Sequence, residues 1–148
     1  MWQTTRMKKW SGYTHRVRYN EVDPQSIVFN SRYLEFFDAA NIEFFRAFGF
    51  PLEVMAAAGL EPVVVGVNIR YHSSARMDQL LHIDVVCSRL GNTSFDLSFE
   101  VRIQDPQTGS LSENIVTSAT ISYVNVDQVT RKSTPIPAAF RSFLGSAT

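Results

Sequence analysis

The chain has 148 residues, 45% of them hydrophobic and 19% charged, the apolar content of one ordinary globular core. Its 14 basic and 14 acidic residues cancel, so it lacks the basic excess that a nucleic-acid-binding face requires. A single cysteine, Cys87, excludes an internal disulfide and a cysteine-pair metal site, and reads as a small buried strand residue.

No run approaches the ~20 apolar residues of a membrane span. Residues 1–10 carry Arg6, Lys8 and Lys9 with no apolar run behind them, so no signal peptide is expected and the cytoplasm is the expected compartment. Ser11 to Asn20 alternates, with Tyr13, His15, Val17 and Tyr19 on one side and Thr14, Arg16 and Arg18 on the other, the period of a half-buried strand. Glu21 to Ser26 is rich in turn formers and predicts a loop. Asn30 or Ser31 then caps a helix that begins at Arg32 and runs to Gly49, where Gly49 and Pro51 stop it. Along it Tyr33, Phe36, Phe37, Ala40, Phe44, Ala47 and Phe48 form one stripe, with Glu35, Asp38, Asn41 and Arg46 outside it. Such a stripe is core first, although rings near the helix start could also wall a ligand site. A short helix, Leu52 to Ala58, ends at Gly59.

The remainder predicts four strands: Val63 to Tyr71, Leu81 to Cys87, Ser94 to Ile103 and Ile115 to Val126. Turns fall at Ser73–Asp78, Leu90–Asn92 and Asp105–Gly109, and the short connections demand antiparallel hairpins. Pro135 and Pro137 close the sheet, and Ala138 to Leu144 forms a terminal helical turn or two. The expected class is α+β: a curved antiparallel sheet of about five strands wrapped around one long aromatic-faced helix. It forms a single domain over residues 1–148, with its core at about 11–144. Such a sheet leaves unpaired edges, which favours edge-to-edge dimerisation.

His15, His72 and His82 are scattered without zinc-ligand spacing, so no metal site is expected. There is no G-x-S-x-G elbow and no glycine-rich phosphate loop. The feature that stands out is the loop before the aromatic helix. Glu21 and Asp23 lie in a turn that delivers the chain to a helix N-terminus, where the first N–H groups are unpaired and the dipole is positive. A carboxylate there either stabilises the turn and helix or does chemistry. In the second case the amides polarise a carbonyl oxygen while the carboxylate attacks the carbonyl carbon or activates a water.

The run Tyr19-Asn20-Glu21-Val22-Asp23-Pro24-Gln25-Ser26-Ile27-Val28-Phe29-Asn30-Ser31-Arg32-Tyr33 resembles the signature of the 4-hydroxybenzoyl-CoA thioesterase-like hotdog family. That signature sets an aspartate, often followed by Pro, ahead of a Val–aromatic step and an Asn/Tyr-containing helix start. The likeness continues through Leu34 to Ala40 and recurs in Ala75 to Leu80, in Arg89 to Phe95 and in Pro135-Ile136-Pro137.

The resemblance implies a hotdog fold and hydrolysis of an acyl-CoA by a homodimer or homotetramer whose site lies at a subunit interface. No cofactor is implied, since CoA is part of the substrate. Asp23 takes the place of the catalytic aspartate, and the Asn30 backbone N–H that of the helix-start amide that polarises the thioester carbonyl. Val28 and Tyr33 are the implied acyl-site contacts, and Arg89, Asn92 and Thr93 lie where the family often contacts the CoA nucleotide. Ser26 stands where the family usually has Gly. Gly91, Asn92 and Thr93 stand where some relatives carry Arg and Lys, which leaves a carrier-protein thioester open beside acyl-CoA. Glu21 shares Asp23's side of an extended segment but has no catalytic part in the resemblance, so Glu21→Gln is expected to stay near wild type. Two rival readings remain. A hotdog hydratase or dehydratase needs a His paired with a carboxylate at the helix start, and no His lies between His15 and His72; a non-catalytic acyl-ligand-binding module would not need Asp23.

Overall fold

Alternating apolar residues in β3 (Leu80–Leu90), β4 (Ser94–Gln104) and β5 (Thr117–Asn125) supply the inner face of one antiparallel sheet. Leu81, Ile83, Val85, Cys87, Phe95, Leu97, Phe99, Val101, Ala119, Ile121 and Tyr123 all point inward and are buried. The computed structural model describes residues 7–146; the expectation drawn from residues 1–6 lies outside them. Two further strands flank the hairpins, β1 (Lys9–Arg16) and β2 (Pro62–Tyr71), giving the order β1-β3-β4-β5-β2. Since β1 and β2 occupy opposite edges, the segment between them must cross the sheet. That segment carries α1 (Arg32–Ala47) and α2 (Leu52–Ala57), and α3 (Ala138–Leu144) closes the far end.

The expected curved sheet around an aromatic-faced helix is what forms. Phe37 of α1 meets Phe99 at 4.8 Å between centroids, and Phe45 meets Phe95 at 6.4 Å. At the helix C-terminal end Phe44, Phe45 and Phe48 gather around Phe143 at 5.4, 5.7 and 5.2 Å. Three helix positions depart from the expected stripe. Ala47 is exposed, whereas Phe45 and Asn41 are buried, because the sheet curls over a wider arc of the helix than one stripe. Helix α1 also ends two residues before Gly49, which sits beyond it at φ +90°.

Strand limits shift as well. β1 stops at Arg16 and the chain enters a 3-10 turn at Tyr19–Glu21, so Tyr19 leaves the predicted inward row and is 83% exposed. β5 begins at Thr117 rather than Ile115. Register shifts at Gly12, Val65 and Ser88 each insert one residue and break the period-two pattern locally. α2 is one residue shorter than expected, and α3 spans the predicted residues.

Chain direction gives the sheet two distinct ends. Arg16, Leu80, Gln104, Thr117 and Tyr71 lie at one, where α1 starts. The β3–β4 turn, Pro62 and Asn125 lie at the other, where α1 ends. There Asn125 is buried and tied by its side chain to Glu61, Gly59 and Pro135.

Candidate active site

Between the 3-10 turn and α1 the chain folds into a miniature hairpin. Val22 bridges Val28, the Asp23 N–H donates to the Ile27 carbonyl at 2.9 Å, and the Ser26 N–H donates to the Asp23 carbonyl at 2.8 Å. Ser26 adopts φ +65°, which completes a three-residue hairpin loop of Pro24, Gln25 and Ser26. This is the left-handed conformation that glycine adopts most readily. The hairpin is anchored to the chain entering β3: the Val28 N–H donates to the Ala75 carbonyl at 2.8 Å, and Ile27 bridges Arg76.

Asp23 sits at the hairpin tip, half-buried. Its Oδ1 accepts the Gln25 N–H at 2.8 Å. Among the described residues Oδ2 has no protein partner and the carboxylate joins no ion pair. Asn30 follows the hairpin at the mouth of α1. Its carbonyl accepts the Tyr71 hydroxyl at 2.9 Å, while among the described residues no protein acceptor takes its N–H. Ser31 stands at the N-cap but makes no side-chain cap bond, so the predicted capping by Asn30 or Ser31 side chains does not occur. The Arg32 and Leu34 N–H groups turn back to the Phe29 and Ser31 carbonyls at 2.9 and 3.2 Å, which leaves the Asn30 N–H as a donor without a protein acceptor among the described residues.

The other predicted contacts divide. Val28 and Tyr33 lie beside the hairpin but are buried at 5% and 2% exposure, so they back the site and do not line an open surface in one chain. Tyr33 packs edge-on against Tyr71 at 5.8 Å, and burial pushes its phenol pKa up. Arg89, Asn92 and Thr93 surround the β3–β4 turn, at the opposite end of β3 from Leu80. At ~3.3 Å per residue that is about 30 Å from the Asp23 end, so one chain does not bring the two groups together. The Arg89 guanidinium is also engaged, holding Asp96 through two bonds of 3.0 and 2.9 Å and Ser94 at 3.0 Å. Burial raises the Asp96 pKa, but bonds from Arg89 and Ser122 outweigh it and hold the carboxyl below its usual range. The Asn92 carbonyl is taken by Ile136 and by Arg141 of α3.

Glu21 differs most from expectation. The 3-10 turn sends it inward, away from Asp23's side, to His15 at 2.8 Å, and it is buried. Its carboxylate is thus engaged within the fold, where the sequence pattern placed it beside Asp23. No period in the sequence links positions 15 and 21, because a strand ends and a turn intervenes between them.

Other chemistries find little footing. Ser11, His82 and Asp84 cluster on the outer sheet face, but Ser11 at 2.8 Å and Asp84 at 3.1 Å both meet the same ring nitrogen, Nε2. A relay needs the two on opposite nitrogens. The Cys87 thiol is pushed up to about 11 by burial, which leaves it an inert core group. Among the described residues no group of three His, Cys, Asp or Glu could hold a metal ion, and no helix is long and apolar enough to cross a membrane. A groove of about 540 Å³ opens nearby between Met77, Leu80, Ile103, Pro106 and Leu111, but neither Asp23 nor Asn30 lines it.

The chain belongs to the thioesterase-like superfamily, whose model matches residues 17–144. It is 28% identical over 122 residues to the acyl-CoA thioester hydrolase YbgC of Escherichia coli O6:H1, covering 82% of this chain and 86% of that one. Against the acyl-CoA thioesterase YbgC of Haemophilus influenzae it is 30% identical over 89 residues, 60% of this chain and 64% of that one. It superposes on 4-hydroxybenzoyl-CoA thioesterase from Pseudomonas sp. strain CBS-3 with a TM-score of 0.79, at 21% identity over 91% of this chain and 98% of that one. The last likeness is one of fold, the hotdog. Family and homologues together make the chain an enzyme, a thioesterase.

Proposed function

We propose that the protein hydrolyses an acyl-CoA, with a carrier-protein thioester as the alternative donor, using the Asp23 carboxylate and the Asn30 N–H. One observation carries this reading: a carboxylate with a free oxygen sits on a hairpin that leads straight to a helix start whose N–H has no acceptor. A thioester lacks the resonance stabilisation of an oxygen ester, so these two groups suffice without a Ser or Cys nucleophile. Asp23 takes a proton from water as the oxygen adds to the carbonyl carbon, and the Asn30 N–H holds the oxyanion. Collapse breaks the C–S bond, and the thiolate leaves with the proton that Asp23 had taken. Direct attack by Asp23 gives the same products through an anhydride that water then opens. No cofactor enters either route.

The two sheet edges support a homodimer paired through β2. β1 is blunted by its irregularity at Gly12, where the Trp10 ring folds across the backbone, and carries Lys9 and Arg16. β2 instead exposes Val64, Val65, Val67 and Tyr71 at 51%, 61%, 47% and 51%. Antiparallel pairing of β2 with its copy sets Tyr71 of one protomer opposite the partner's Pro62. It thereby brings the partner's Arg89 turn to the Asp23 end, four strand spacings or ~19 Å from β2. That is a reach for the extended pantetheine arm of CoA, with the partner's Arg89, Asn92 and Thr93 near the nucleotide. A cytoplasmic setting, where thiols stay reduced, suits the product.

Purified protein assayed against a panel of acyl-CoAs should release free thiol, and Asp23→Asn should lower kcat by ~10²–10⁴ with KM little changed. Full activity in Asp23→Asn would refute the carboxylate mechanism. A wild type inert towards every thioester would turn the protein into an acyl-ligand binder.

A further inference from the structure

The mechanism above uses neither His15 of β1 nor Glu21 of the 3-10 turn, yet the two form a buried hydrogen-bonded pair near Asp23. Their side chains are 11% and 8% exposed, with Nε2 and Oε1 at 2.8 Å. The same carboxylate oxygen accepts the Arg18 N–H at 2.7 Å, and the Glu21 N–H donates to the Arg18 carbonyl at 3.0 Å, which closes the turn on itself. From the other side the Glu21 carbonyl accepts the N–H of Phe29, the residue before Asn30, at 2.9 Å. The imidazole in turn lies against Phe36 of α1, centroids 4.3 Å apart. One buried pair thus ties β1, both arms of the Asp23 hairpin and the first turns of α1 to each other.

A buried carboxylate is costly to desolvate, and an apolar pair of similar volume would usually stabilise a fold as well or better. Its worth here lies in direction: two hydrogen bonds to one oxygen fix the turn in a way that apolar contacts cannot. We infer that His15 and Glu21 are positioning residues for thioester hydrolysis, holding the Asp23 hairpin and the Asn30 N–H at their working geometry without touching substrate. The inference rests on the roles proposed for Asp23 and Asn30. Hydrogen exchange of the hairpin amides separates its failure from theirs.

The test compares His15→Leu, Glu21→Ala, their double variant and His15→Gln, whose amide can still donate to Glu21. Each single variant should lower kcat about 10²-fold, the cost of a small misplacement, with KM within about threefold. Amides of residues 22–30 should exchange faster while those of β3, β4 and β5 keep wild-type protection. The double variant should be no worse than either single one, because both remove the same pair. His15→Gln should recover both rate and protection. Wild-type exchange across residues 22–30 in His15→Leu would overturn the inference. So would faster exchange throughout the sheet, or a His15→Gln variant as slow as His15→Leu. If the wild type hydrolyses no thioester, the catalytic reading fails, and unaltered hairpin exchange in His15→Leu would still refute the pair.

Discussion

At φ +65°, Ser26 holds a conformation that costs a side-chain-bearing residue roughly 1–2 kcal/mol, partly offset by its smaller loss of chain entropy on folding. The residue is exposed, and its side chain makes no hydrogen bond among the described residues. Ser26→Gly should therefore raise stability by up to about 1 kcal/mol, or ~2–4 °C in Tm. A lowered Tm in thermal unfolding would show that the hydroxyl makes a contact worth more than the strain. Asp23 and Ser26 were legible as single positions because a turn motif of fixed spacing carried them. Glu21 was not. Its direction depends on where β1 stops, and the alternating run continued in sequence to Tyr19 after the strand itself had ended at Arg16. Tyr71, which closes on the Asn30 carbonyl, was equally invisible as a site residue, since 41 positions separate them and only sheet closure joins them.

On the scale of elements, α1 is held by rings. Phe44 has no exposed surface and contacts Phe45, Phe48 and Phe143 at centroid distances of 5.2, 6.0 and 5.4 Å. Phe44→Ala removes the middle of this cluster at the end of the helix remote from Asp23, and should cost roughly 3–5 kcal/mol in denaturant unfolding. An unchanged midpoint would mean that the rings can repack around the gap, and that α1 is not what the sheet closes on. The helix and all five strands were readable because their periods are long relative to any local break. What the periods missed are the one-residue insertions at Gly12, Val65 and Ser88, each of which flips the faces beyond it. Asn41 is the clearest miss on the helix: a polar residue counted as solvent-facing is buried, with its amide donating to the Tyr123 hydroxyl at 3.4 Å.

The whole molecule sets its candidate residues at two ends of one sheet about 30 Å apart. A single chain thus holds the Asp23 hairpin at one end and the Arg89 turn at the other, and does not bring them together. The β2 pairing proposed above would bring them near one another by symmetry, since a two-fold axis at its centre reverses one sheet relative to the other. Val65 is the residue on which to test this. At 61% exposure on an unpaired edge, it can become a lysine at little cost to the monomer, whereas a charge inside a paired seam opposes assembly. Light scattering of the wild type at micromolar concentration should give a multiple of the 16.7 kDa chain mass. Val65→Lys should shift it towards 16.7 kDa and lose most thioesterase activity, with the fold intact by circular dichroism. A wild type already at 16.7 kDa would end the shared-site reading outright. A Val65→Lys variant that stayed oligomeric and active would move the seam away from β2, and with it the partner's Arg89 from the substrate.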